Sequence, residues 1–262
     1  PPTPTGNGRL VQISTRGSVG TGDDVLIGGF IIEGTAAKKV IVRAIGPSLG
    51  EHGVSGALAD PVLELHSTST LLQTNDNWRD TQEQEILDSS VPPANDMESA
   101  IVADLVPGNY TAIVSGAAGA TGVALVEVYD LDPTNGKLAN ISTRAHIGVG
   151  DDVLIGGFII TGPQTQKNVI RALGPSLDTN GVTGVLANPT LEVYNSNGAL
   201  LHTNDDYSTD HDSSVIGSYG LRPPSLLESA IYLDAAPGNF TAIVRGFEGA
   251  TGVGLVEIYG VD

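Results

Sequence analysis

A chain of 262 residues with 30 acidic and 12 basic side chains carries a formal net charge of −18, which excludes nucleic acid and anionic membranes as partners, since both need a basic footprint. The absence of cysteine excludes disulfide scaffolds, thiolate metal centres and cysteine nucleophiles. With 34 glycines and 15 prolines the chain must turn often, and no apolar run approaches the roughly 18 residues of a membrane span.

In chain order, residues 1–9 read as an extended tail opening on Pro1-Pro2-Thr3-Pro4-Thr5. Its threonines are candidate O-glycan acceptors, and the tract serves equally as a plain linker. Strands are predicted near 10–15, 23–32, 39–46, 62–66, 70–74, 99–105, 109–115 and 122–129. Val25 to Ile32 is almost continuously apolar and reads as a central strand, with Gly28-Gly29 marking a bulge or a close backbone approach. Tyr110, Ala112 and Val114 alternate with Thr111, Ile113 and Ser115, as one wet face requires. Only Gln82 to Leu87 suggests a short helix.

The same cadence then repeats. GDDVLIGGFII occupies Gly22 to Ile32 and again Gly150 to Ile160, an offset of 128 residues. Ile13-Ser14-Thr15-Arg16 recurs as Ile141-Ser142-Thr143-Arg144, and Arg43-Ala44-Ile45-Gly46-Pro47-Ser48-Leu49 as Arg171-Ala172-Leu173-Gly174-Pro175-Ser176-Leu177. The offset becomes 129 between Thr74 and Thr203, and 130 between Pro107 and Pro237, as turns absorb insertions that strand register cannot. In the second copy the helix signal gives way to the Gly- and Ser-rich Ser213 to Gly220, where no helix is expected. The reading is all-β: two tandem β-sandwich domains, jelly-roll or immunoglobulin-like, from an internal duplication. Domain one spans 10–132, a linker 133–137, and domain two 138–262.

Asp60-Pro61-Val62-Leu63-Glu64-Leu65, Thr74-Asn75-Asp76, Pro107-Gly108-Asn109-Tyr110-Thr111 and Leu125-Val126-Glu127-Val128-Tyr129 have counterparts from Asn188, Thr203, Pro237 and Leu255. This half of each copy resembles the bacterial pre-peptidase C-terminal domain, which implies a jelly-roll accessory module of a secreted protein. The whole unit resembles tandem repeats of exported bacterial proteins of unassigned function, and is similar to tandem-sandwich subunits of extracellular filaments.

The candidate chemistry lies in Asp/Asn clusters. Asp23-Asp24 and Asp151-Asp152 precede the central strands, while Asn75-Asp76-Asn77 and Asn204-Asp205-Asp206 follow another. Such loops offer the oxygens that calcium requires, although Asp and Asn are also ordinary turn residues. Arg16, Arg43, Arg144 and Arg171 lie within apolar strands and point to internal pairs with Glu64, Glu98, Glu127 or their counterparts. Trp78 and Tyr207 follow the Asn-Asp clusters, as sugar-stacking rings do, or else plug the ends of their own sandwiches. Asn109, Asn140 and Asn239 head N-x-S/T triplets. None of the five histidines has a counterpart in the other copy, and no hydrolase or phosphate-loop motif occurs.

These features favour a non-enzymatic protein, secreted or at the cell surface. The start at Pro1 and the acidic, Cys-free composition support processing after export. The leading expectation is a homopolymer built head to tail, a filament or surface-layer subunit, using Leu10, Val11 and Ile13 at one end and Tyr259 and Val261 at the other. The alternative is a carbohydrate-binding or spacer module of a larger exported protein, with glycans as partners.

Overall fold

The computed structural model describes residues 8–132 and 134–261. Thr3, Thr5 and Pro133 of the linker lie outside the described residues. The chain is all-β. Its first strands are β1 (Arg9–Val19), β2 (Leu26–Glu33), β3 (Lys38–Ile45), β4 (Pro61–Ser67), β5 (Thr70–Asn75), β6 (Ser99–Leu105), β7 (Gly108–Gly116) and β8 (Gly122–Asp130). The later ones are β9 (Lys137–Ile147), β10 (Leu154–Thr161), β11 (Gln166–Leu173), β12 (Pro189–Asn195), β13 (Leu200–Asn204), β14 (Ser229–Ala235), β15 (Gly238–Gly246) and β16 (Gly252–Val261). Among the described residues three short α-helices interrupt them: α1 (Pro47–Glu51), α2 (Glu83–Asp88) and α3 (Ser213–Ser218).

Two compact units divide the chain. One is Ser14–Leu138, and the other combines residues 8–13 with 139–261. Against the sequence boundaries, the start of β1 goes with the later strands, and 134–138 goes with the earlier ones. An apolar alternation such as Leu10 to Ile13 announces a strand but not the sheet it joins. In its unit Gly8 abuts the backbone at Gln164, where an added Cβ would lie 2.7 Å from the carbonyl oxygen, and Leu10 reaches Gly260.

In the unit at 14–138, one antiparallel sheet runs β2–β7–β4–β5 and another runs β6–β3–β8. Tyr110, Ala112 and Val114 are buried as their alternation requires, and Tyr110 stacks on Phe30 at 5.6 Å. The other unit holds β10–β15–β12–β13 and β14–β11–β16–β9, with Phe158 on Phe240 at 5.2 Å.

The double glycines make no bulge. Leu26 to Ile32 pair with Val114 to Gly108 without a break. Gly156 provides a close approach instead: a Cβ there would lie 3.2 Å from Ile258 and 3.4 Å from Val256 on the facing sheet. Bulges occur at Leu65/His66 and Val193/Tyr194. The Gly- and Ser-rich segment of the second copy does form a helix, α3, because Ile216 is buried against Val169 and Ala230. Tertiary burial there overrides weak propensity. The turn α1, with Pro47 in its first positions, has no apolar period to announce it.

Candidate functional site

Of the four strand-borne arginines, Arg43 and Arg171 are internal clamps. Arg43 pairs through Nε with Glu127 at 3.0 Å, donates Nη1 to the Val91 carbonyl at 2.7 Å, and lies over the Tyr129 ring at 4.9 Å. Arg171 repeats this with Glu257 at 2.8 Å, the Leu221 carbonyl at 3.1 Å and Tyr259. The Tyr129 hydroxyl donates to Glu127, and its phenol is pushed up to about 12, by burial first and by that carboxylate second. Tyr259 shifts in the same direction for the same reasons. Every arm of each guanidinium is engaged inside the unit, so neither is free to clamp a ligand carboxylate.

The repeated RA-x-GPSL segment has an internal client of its own. Glu98 is fully buried and accepts backbone N–H groups from Gly46 at 3.2 Å, Ser48 at 2.9 Å and Asn95 at 3.2 Å. Glu228 accepts from Gly174, Ser176 and Ser225, and from the Ser176 hydroxyl at 2.6 Å. The glycine is dictated by space, because a Cβ on Gly46 would sit 2.2 Å from the Leu58 carbonyl oxygen. The segment cradles a carboxylate of the protein itself rather than a bound anion.

The Asp/Asn clusters sort into three kinds. Asp23, Asp24, Asp151 and Asp152 lie on exposed turns closed by Gly20 N–H to Asp24 O and Gly148 N–H to Asp152 O, each 2.6 Å, with Gly22 and Gly150 left-handed. Asn75 and Asn204 are structural. Their Oδ1 atoms accept from Ala100 and Ala230 N–H, both at 2.9 Å, and their amides donate to the Asn77 and Asp206 carbonyls. Asp76, Asn77, Asp205 and Asp206 gather at the corner where β4 or β12 begins. The sequence singled them out but missed Asp60 and Asn188, which join them there. Asp60 is held above the usual carboxylate range by burial and by Asp76, and Asp205 by burial and by Asp206, with the Asn188 hydrogen bond acting the other way.

The aromatic candidates face inward. Trp78 is 1% exposed, with its indole N–H on the Asn95 carbonyl at 3.1 Å, and Tyr207 packs on the cluster of Val169, Ile216 and Ala230. Burial of the Trp78 ring rules out sugar stacking on it. Asn109 and Asn239 are exposed, whereas Asn140 is buried with its amide on the Ile141 carbonyl and is closed to glycosylation. Of the proposed end contacts, Leu10 and Ile13 are buried and Val261 packs on the same cluster as Tyr207. The Tyr259 hydroxyl is held by Glu257, and Val11 is half-buried. These side chains stabilise their own unit and are not a free surface. Asp210, His211 and Asp212 approach one another, but His211 is 86% exposed and the first copy has no such group.

The free surface lies elsewhere. Among the described residues β5 pairs only with β4, and β13 only with β12. Leu71 and Leu72 on the first edge are 50% and 47% exposed, and Leu200 and Leu201 on the second 52% and 37%. Neither strand carries an acidic side chain, a lysine or an arginine. A groove of about 410 Å³ opens beside β13, lined by Leu201, His202, Leu233 and Phe240 among others.

No family model matches this chain, and none of the curated proteins does. Among solved structures it is similar to a chain of the Sulfolobus turreted icosahedral virus (10% identity, 97% of this chain, 90% of that one, TM-score 0.24). It is also similar to the major capsid protein P2 of bacteriophage PM2 (10%, 97%, 98%, 0.25) and to PNGF-II (13%, 98%, 57%, 0.24). No helix among the described residues is long and apolar enough to cross a membrane.

Proposed function

We propose that this chain is a non-catalytic structural protein of an exported assembly, whose copies join edge to edge through β5 and β13. The observation that carries this reading is the pair of open, leucine-bearing edges without a fixed charge, in a chain of net charge −18. Proteins that stay monomeric guard such edges with lysine, proline or inward charges. In a chain of net charge −18, contact between two edges that carry no fixed charge avoids the repulsion that acidic surfaces impose. β5 of one copy against β13 of the next buries leucine on leucine, and the groove beside β13 receives a side chain from the incoming strand. Unlike edges in contact are heterologous, and such contacts propagate when they do not close. Polymerisation thus remains the proposal, moved from the chain ends to the edges.

The test is light scattering and negative-stain microscopy of the full chain beside Leu71→Lys/Leu201→Lys. Assemblies from the parent and monomers from the variant support the edges. A parent that stays monomeric at high concentration, or a variant that assembles equally well, overturns them.

A further inference from the structure

We propose that each unit holds a calcium-class divalent cation at the corner where β4 or β12 begins, bound by Asp60, Asp76 and Asn77 in one unit and by Asn188, Asp205 and Asp206 in the other. The backbone brings these residues together. Leu63 pairs with Asn75 and Leu191 with Asn204, so the next residues along each ladder converge on the start of β4 or β12. A serine pins the two segments: Ser99 Oγ donates to the Pro61 and Asp76 carbonyls at 2.5 and 2.7 Å, and Ser229 Oγ to those of Pro189 and Asp205 at 2.5 and 2.6 Å.

The corner contains more oxygen than the protein satisfies. The Oδ1 atoms of Asp60 and Asn77, and those of Asn188, Asp205 and Asp206, are shut off from solvent and accept no hydrogen bond from the protein. Buried polar atoms are almost always partnered, and a cluster of orphans calls for an ion or water among them.

Charge gives a second, independent sign. The first corner reads Asp, Asp, Asn and the second Asn, Asp, Asp: the carboxamide has moved from the last position to the first. Each corner therefore keeps two carboxylates and one amide. Turn formation sets no such total, because Asn and Asp are interchangeable there. A divalent ion does, since two carboxylates neutralise it and the amide adds a neutral oxygen. All the donors are hard oxygens, with no thiolate or imidazole among them, which selects calcium chemistry over zinc or copper. Without an ion, the two carboxylates at each corner repel one another.

Calorimetric titration of chelator-treated full chain with calcium chloride should give two equivalents per chain, and melting should rise with the logarithm of calcium concentration. Asp60→Asn/Asp205→Asn should lose both equivalents while melting above the parent in EDTA, because the repulsion has gone. Asp23→Asn/Asp151→Asn, on the exposed turns, should keep both. No saturable heat with superimposable melting curves in the parent, or two equivalents retained by Asp60→Asn/Asp205→Asn, overturns the proposal.

Discussion

Replacing Glu98 measures how much the GPSL cradle contributes. The carboxylate has no exposed surface and satisfies three backbone N–H groups, two on Oε1 and one on Oε2. Glu98→Ala orphans all three in a site without solvent. At roughly 1–2 kcal/mol for each of the three buried donors left unmet, the loss is about 3–6 kcal/mol. Domains have only about 5–15 kcal/mol in total, so the unit at 14–138 would lose a large part of its stability. Glu98→Gln keeps the shape but turns one acceptor into a donor. Whichever way the amide is oriented, its NH₂ faces a backbone N–H, and the expected cost is about 1.5–3 kcal/mol. For a domain of this size a kilocalorie corresponds to about 3–5 °C, so calorimetry should find shifts of roughly 5–15 °C for Gln and 10–30 °C for Ala. Glu228→Gln provides a parallel measurement in the other unit. If Glu98→Ala lowers melting by under about 2 °C, the cradle is not held by its carboxylate and the argument fails.

Removing the guanidinium in Arg43→Met leaves Glu127 buried without its counter-charge, for a loss of about 3–5 kcal/mol in denaturant titration, and Arg43→Lys should recover only part of it because the fork is lost. The folded state holds the Tyr129 and Tyr259 phenol protons more tightly than the unfolded chain does, so their contribution is full below the ordinary tyrosine range near pH 10 and falls as pH rises toward 12; ultraviolet titration should show both ionising late and alkaline unfolding should be steep. Leu10→Ala and Ile13→Ala should each destabilise the unit containing residues 139–261 by about 2–5 kcal/mol, visible as hydrogen exchange rising in β10 and β16 while β3 and β6 keep their protection. Trp78→Phe should leave a glycan array unchanged and cost about 1–2 kcal/mol of stability, through the lost bond to Asn95 and the smaller ring.

Local rules read the strands well because they are local features: alternation at Tyr110 to Val114 and a proline or glycine at each turn suffice to place β7 within a residue or two. The same rules cannot tell which of two neighbouring sheets takes Leu10, since either would bury it. Helix α3 lay outside their reach because a single buried Ile216 outweighs Gly217 and the serines around it. The pairs of Arg43 and Arg171 were legible, since a charge on an apolar strand favours a partner of opposite sign, but of the glutamates on offer only Glu127 and Glu257 take that part, while Glu98 holds backbone N–H groups. Trp78 was ambiguous, because an aromatic after a polar turn suits an exposed platform and a plugged end alike, and only the Asn95 carbonyl decides. The Asp60/Asn188 exchange was present in the sequence all along. It gains meaning once Asp60 is known to share a corner with Asn77, which lies across a ladder and not beside it in the chain.

The discontinuous make-up of the later unit has a mechanical consequence. Residues 8–13 and Val261 belong to the same unit, with Ser14–Leu138 between them in the chain. Tension applied at these two points enters and leaves through that one unit. Unfolding of Ser14–Leu138 alone therefore leaves both points still held within one unit.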